Sequence, residues 1–140
     1  MWHMRVTTSL LADSAEVQGG KLYLLGGAFD IIQTRAVPAV HRGLCVVLVA
    51  EIGPDERQRD LQLSVELQSE DGESLGAEAR GVVRAGAPPH LAPGDSTLVP
   101  LVIPFSDIPL PAAKGYVFVV RQGETELARA RFRVVLVSGQ

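Results

Sequence analysis

The stretch Asp60-Leu61-Gln62-Leu63-Ser64-Val65-Glu66-Leu67-Gln68 decides the fold class. Leu61, Leu63, Val65 and Leu67 alternate with Gln62, Ser64, Glu66 and Gln68. Successive side chains of a strand point to opposite faces, so this is a strand with one apolar and one wet face. Asp71-Gly72 then supplies a turn, and Leu75 to Arg84 reads as the return strand.

The same period runs outward in both directions. Lys21 to Leu25 and Phe29 to Thr34 read as strands, punctuated by Gly19-Gly20 and Gly26-Gly27. Gly43 to Ile52 is apolar on both parities, which predicts a central strand covered on both faces or one whose outer face meets another chain. Near the C-terminus, Tyr116, Phe118 and Val120 form one face of a strand, and Ala128, Ala130, Phe132, Val134 and Leu136 one face of the next. Placing both faces together with Gly123 in a three-residue loop pairs 118 with 128 and 116 with 130. Thr97 to Phe105 carries Pro100 and Pro104, whose missing donors lie along one side, so it is read as an edge strand blocked on its open side. Leu10 to Val17 is assigned one helical turn, and no sustained helical period occurs elsewhere.

Short strands with Gly and Pro turns predict an all-β, single-domain antiparallel β-sandwich of immunoglobulin-like or Greek-key type, with about eight or nine strands over 1–140. The chain of 140 residues, 46% of them hydrophobic, is long enough to bury a core without metal or disulfide staples. A closed barrel is the alternative, and prolines on an edge argue against it because a barrel has no edges.

Composition narrows function. With 13 Lys+Arg against 16 Asp+Glu, the net charge is −3 and no global basic field exists. Aromatic residues are 5%, and most read as core, so stacking platforms for nucleic acid are lacking. Neither a nucleic-acid nor a membrane partner is expected: the apolar run Leu44 to Ala50 is far shorter than the ~20 residues of a span. The N-terminus lacks the cationic and apolar regions of a secretory signal, so a cytoplasmic protein is expected.

Chemistry is sparse. Cys45, the one cysteine, lies among apolar neighbours and reads as a packing residue. Gly20-Lys21 is followed by Leu22 and fails the phosphate-loop pattern. No serine sits in a nucleophile elbow. His3, His41 and His90 lack partners at metal-ligand spacing, and no metal or cofactor is expected. His90 lies in the long Pro-rich loop and is the histidine best placed for a ligand contact.

Arg129, Arg131 and Arg133 share the face opposite the core of the last strand, a row spanning roughly 13 Å by strand rise. Such a row reads either as a docking stripe for an acidic partner or polyanion, or as a wet face neutralised by Glu across the strands.

The motifs Leu11-Ala12-Asp13-Ser14-Ala15-Glu16-Val17, Gly20 to Asp30, Leu91-Ala92-Pro93-Gly94, Val99-Pro100-Leu101, Leu110-Pro111, Gly115-Tyr116 and Phe132-Arg133-Val134 together resemble a family of small bacterial single-domain proteins catalogued as a domain of unknown function. The resemblance covers nearly the whole chain. It implies a β-sandwich, and it carries over no activity and no functional residue.

Three functions are weighed. The first is a non-enzymatic domain acting by protein–protein contact, with a protein partner or as a homo-oligomer. The second is a small-ligand or carbohydrate-binding module built from loops 35–42, 84–96 and 106–114. The third is a hydrolase with two converging carboxylates, disfavoured by the missing motifs.

Overall fold

The computed structural model describes residues 4–86 and 90–138. Nine strands follow in order: β1 Arg5–Gln18, β2 Lys21–Gly27, β3 Ile31–Thr34, β4 Ala39–Ile52, β5 Leu61–Ser69, β6 Ser74–Val83, β7 Thr97–Leu110, β8 Gly115–Gln122 and β9 Thr125–Leu136. They form two packed sheets, of order β2-β1-β4-β7 and β3-β9-β8-β5-β6. The protein is therefore an all-β sandwich, as the alternation predicts. Every pairing is antiparallel except β3 with β9, which is parallel. Among the described residues no helix is long and apolar enough to cross a membrane.

The core lies where the two apolar faces meet. Leu44, Val46, Leu48 and Ala50 of β4 face Leu63, Val65 and Leu67 of β5, Phe118 and Val120 of β8, and Phe132 and Val134 of β9. Aromatic rings brace it: Phe105 lies 4.9 Å from Phe118, and Phe118 lies 5.8 Å from Phe132, between ring centroids. Each such fully buried side chain contributes about 1.5–3 kcal/mol.

The double apolarity of β4 is satisfied within the chain. Its second face sets Cys45 and Val47 beside Ala12, with Leu10, Ala15, Leu22 and Val102 packed around them. The strand is central, between β1 and β7, so both faces need covering.

Three expectations are corrected. Leu10 to Val17 is strand, not a helical turn: it lies in β1, which pairs with β4 on one side and β2 on the other. The C-terminal hairpin has a different register. Phe118 lies opposite Ala130 and Tyr116 opposite Phe132, and the loop is two residues long, closing at Gln122 and Thr125. An irregularity between Val120 and Arg121 restores the facing that the three-residue loop was invoked to supply. Finally, much of 35–42 and 106–114 is strand, since Ala39 pairs with Leu110 and Gly43 with Ser106.

That last pairing also separates the proposed binding loops. Residues 35–38 and 111–114 meet at the end where Ala39 faces Leu110. The 84–96 segment precedes β7 at the opposite end, where Ile52 faces Thr97. There it packs with the β4–β5 connection, through Gln58 N–H donating to Ala85 O at 2.8 Å and Arg57 Nη2 to Pro93 O at 3.0 Å. Among the described residues the three loops do not converge on one site.

Candidate functional site

Alternation along β9 turns Ala130, Phe132 and Val134 into the core and leaves Arg129, Arg131 and Arg133 exposed on the outer face. The neighbouring strand is apolar on this outer face too. Val117 and Val119 of β8 are buried, although they point away from the sandwich core. Register explains this. Val119 lies between Arg129 and Glu66, and Val117 between Arg131 and Gln68. The aliphatic stems of these long side chains cover the valines while their polar ends stay in water.

The outer arginines are engaged. Glu126 holds Arg129 through two 2.9 Å hydrogen bonds, a bidentate fork. That fork holds the Glu126 carboxyl below its ordinary value. Arg133 lies 3.6 Å from Glu70. On the adjacent strands Arg121 lies 3.7 Å from Glu66, and Arg80 pairs with Glu78. Glu66 also titrates below the ordinary carboxylate range, chiefly because Gln68 Nε2 donates to it, with Ser74 and Arg121 adding to the effect. Arg131, between the two engaged arginines, has no hydrogen bond or ion pair among the described residues.

Arg131 lies in an open groove of about 490 Å³, lined by Gly115, Val117, Gln68, Glu70 and Asp30 among others. Gly115 keeps it open: a Cβ there would fall 2.7 Å from Glu70 Oε2. The groove thus offers one uncommitted guanidinium above an apolar floor, with carboxylates at its rim. Chemically that suits holding a small anionic group by a forked hydrogen bond.

The expected arginine row therefore exists on the outer face, with Arg129 held by Glu126 and Arg133 beside Glu70. His90 is exposed in a turn of the 84–96 segment and is not part of this groove. His3 lies outside the described residues. His41 lines a separate open cleft of about 410 Å³ with Asp13, Gly26 and Gln33. Among the described residues no group of three or more His, Cys, Asp or Glu is placed to hold a metal ion.

A second feature escaped the sequence reading. β1 pairs with β4 only as far as Ala12 opposite Cys45. Beyond that point, Ser14 to Gln18 pair with Lys21 to Leu25 alone, so the β1–β2 hairpin continues as a two-stranded arm. Ala15 and Leu22 of the arm are half-buried against the outer face of β4, but others of its apolar residues are in water: Leu25 is 73% exposed and Tyr23 53%. Val17 and Leu24 are exposed as well. The clue was the run Leu22-Tyr23-Leu24-Leu25, apolar on both parities yet too short to be a central strand.

A family model described as a family of unknown function, DUF6941, matches residues 7–135. No curated protein matches the sequence. Among solved structures, a beta-glucuronidase from glycoside hydrolase family 2 is similar over 66% of this chain at 12% identity, with a TM-score of 0.34. The matched part is 10% of that enzyme's chain.

Proposed function

The chain belongs to DUF6941, a family of unknown function, and we propose from its own geometry that it is a non-enzymatic, cytoplasmic domain acting by protein–protein contact, including contact with its own kind. One observation carries this reading: the two-stranded arm that holds Tyr23, Leu24 and Leu25 in water. A two-stranded hairpin alone is at best marginally stable, and burying its apolar side chains against another molecule would stabilise it. β4, by contrast, gives no support, because its second apolar face is already filled. A buried, unpaired Cys45 suits a reducing compartment.

Light scattering behind size-exclusion chromatography, over a hundredfold dilution series, tests the proposal. A mass that rises with concentration, or a partner that elutes with the wild type and not with a Tyr23→Ser/Leu25→Ser variant, is expected. A strict monomer that captures nothing in a pull-down overturns it.

A second reading is favoured by Arg131, the unpartnered guanidinium in its groove. It makes this face, rather than the end loops, the site of a small-ligand module that takes a carboxylate or phosphate. A rise in melting temperature with millimolar citrate or phosphate, lost in Arg131→Gln, is the expected result. Equal shifts in both proteins refute it.

A further inference from the structure

We infer that the end of the sandwich away from the β1–β2 arm carries a cation site, where the buried carboxylate of Glu56 takes a primary alkylammonium in the cavity it lines. This goes beyond the interaction reading and does not depend on it.

The local sequence sets the carboxylate in place. Gly53-Pro54-Asp55-Glu56 is a turn closed by Glu56 N–H, which donates to Gly53 O at 3.1 Å. Proline at its second position has the fixed φ that such turns use. The turn follows β4, and the next residues, Arg57 and Gln58, are strapped to the 84–96 segment. Glu56 is left only 6% exposed. A buried glutamate is ordinarily paired with a cation, because an uncompensated charge out of water is strongly destabilising.

Glu56 has no such partner among the described residues. Its one side-chain contact is neutral: Gln122 Nε2 donates to Oε2 at 3.0 Å. The Gln122 oxygen is already committed, accepting from Met4 N–H at 3.0 Å. Oε1 of Glu56 takes no hydrogen bond. Nor is it sealed off, since no enclosed side-chain oxygen among the described residues lacks a partner. The open oxygen therefore borders the cavity of about 470 Å³ that Glu56 lines with Gly53, Pro54, Asp55 and Ser96.

The surroundings select the ligand. Arg5, at the same cavity, is committed to Glu51 at 3.4 Å. Asp55 is exposed there and has no partner among the described residues. The uncommitted charge is thus negative, which attracts a cation and repels an anion. Calcium wants roughly six to eight oxygens, and among the described residues no group of three or more His, Cys, Asp or Glu is placed to hold a metal ion. A primary ammonium needs less. One of its three donors meets the open oxygen in a charged hydrogen bond, and its aliphatic stem lies against Gly53 and Pro54. Such a group arrives as a free aliphatic amine or as a lysine side chain.

Butylammonium chloride and Nα-acetyl-lysine amide, each titrated at constant ionic strength, should raise the melting temperature of the chain. Tetramethylammonium, which has no N–H, should not. The tighter of the two ligands identifies the source. Glu56→Gln keeps an acceptor for Gln122 and removes the charge. It should bind either ligand at least about tenfold more weakly in isothermal titration, and without ligand it should melt no lower than wild type. Ser96→Lys, at an exposed position, brings an ammonium to the same cavity and should weaken ligand binding, with circular dichroism checking the fold.

Equal shifts with tetramethylammonium, or binding that both variants leave intact, overturn the site. So does a Glu56→Gln protein that melts below wild type without any amine, because the counter-charge then lies within the chain. A larger, Glu56-dependent shift with calcium or magnesium chloride gives the cavity to a metal ion and overturns the ammonium.

Discussion

The Asp13 carboxylate stands where the side chain of residue 26 would otherwise be: a Cβ built on Gly26 falls 2.7 Å from Asp13 Cγ. Gly26 also has φ 63°, in the left-handed region where an L side chain costs roughly 1 kcal/mol. Gly26→Ala should therefore destabilise the protein by about 1–3 kcal/mol in urea unfolding. Adding Asp13→Ala removes the clash and leaves the backbone cost, so the double variant should recover only part of the loss. Strictly additive effects in this cycle would contradict the contact.

Tyr116 ties the turn before β8 to the core. Its ring is buried 5.5 Å from Phe132, and its hydroxyl donates to Ala112 O at 2.7 Å while accepting from Ala112 N–H at 3.1 Å. Tyr116→Phe keeps the ring and strands the Ala112 N–H, while Ala112 O keeps the Lys114 N–H at 3.1 Å. A loss of about 1–3 kcal/mol is expected, with faster amide exchange at Ala112. Unchanged exchange there would show that water replaces the hydroxyl.

Ser69 does similar work at the β5–β6 hairpin. It is buried, and its Oγ accepts from Asp71 N–H at 3.2 Å and Glu73 N–H at 3.3 Å. Ser69→Ala should cost about 1–2 kcal/mol, and Ser69→Thr, which keeps the oxygen, should cost less. The denaturant midpoints of the two variants decide this.

Acid sensitivity follows from Glu66 and Glu126. Both titrate below the ordinary value of 4.5, Glu66 through Gln68 and Glu126 through Arg129. A carboxylate whose folded pKa is depressed adds stability above its unfolded pKa, and that stability is lost as pH falls through the folded value. Denaturant midpoints should thus decline on going below about pH 4.5. Glu66→Gln with Glu126→Gln should flatten that decline while lowering the neutral-pH midpoint. An unchanged slope would assign the acid sensitivity to other carboxylates.

Arg131 is the converse case. Since nothing in the fold holds its guanidinium, Arg131→Gln should alter stability by less than about 0.5 kcal/mol. Arg129→Gln, which leaves Glu126 without its fork, should lose more. Equilibrium unfolding of the two variants, side by side, provides the comparison.

What the sequence revealed was whatever depends on near neighbours. The alternation from Leu61 to Leu67 is the strand β5 with its faces assigned correctly, and Pro100 and Pro104 do mark an edge. The outward direction of Arg129, Arg131 and Arg133 follows from parity alone. Their pairing does not: Glu70 comes from the β5–β6 turn, brought to Arg133 by the long-range pairing of β5 with β8. The C-terminal register was missed because an irregularity at Val120 and Arg121 shifts one strand, and no residue type announces it. β1 was misread because its register also slips, between Val6 and Thr8, and its apolar residues Leu10, Leu11, Ala12, Ala15 and Val17 fit no single period. The opposed ends of the 35–42 and 84–96 loops depend on the direction of β4 against β7, which composition cannot disclose.

The prolines of β7 set a limit on size. In the sheet β2-β1-β4-β7 only the β2 side can accept another strand, because Pro100 and Pro104 leave gaps in the donor row on the far side. Stacking copies edge to edge into a fibre needs a template on both extremities of the sheet, and this one offers at most one.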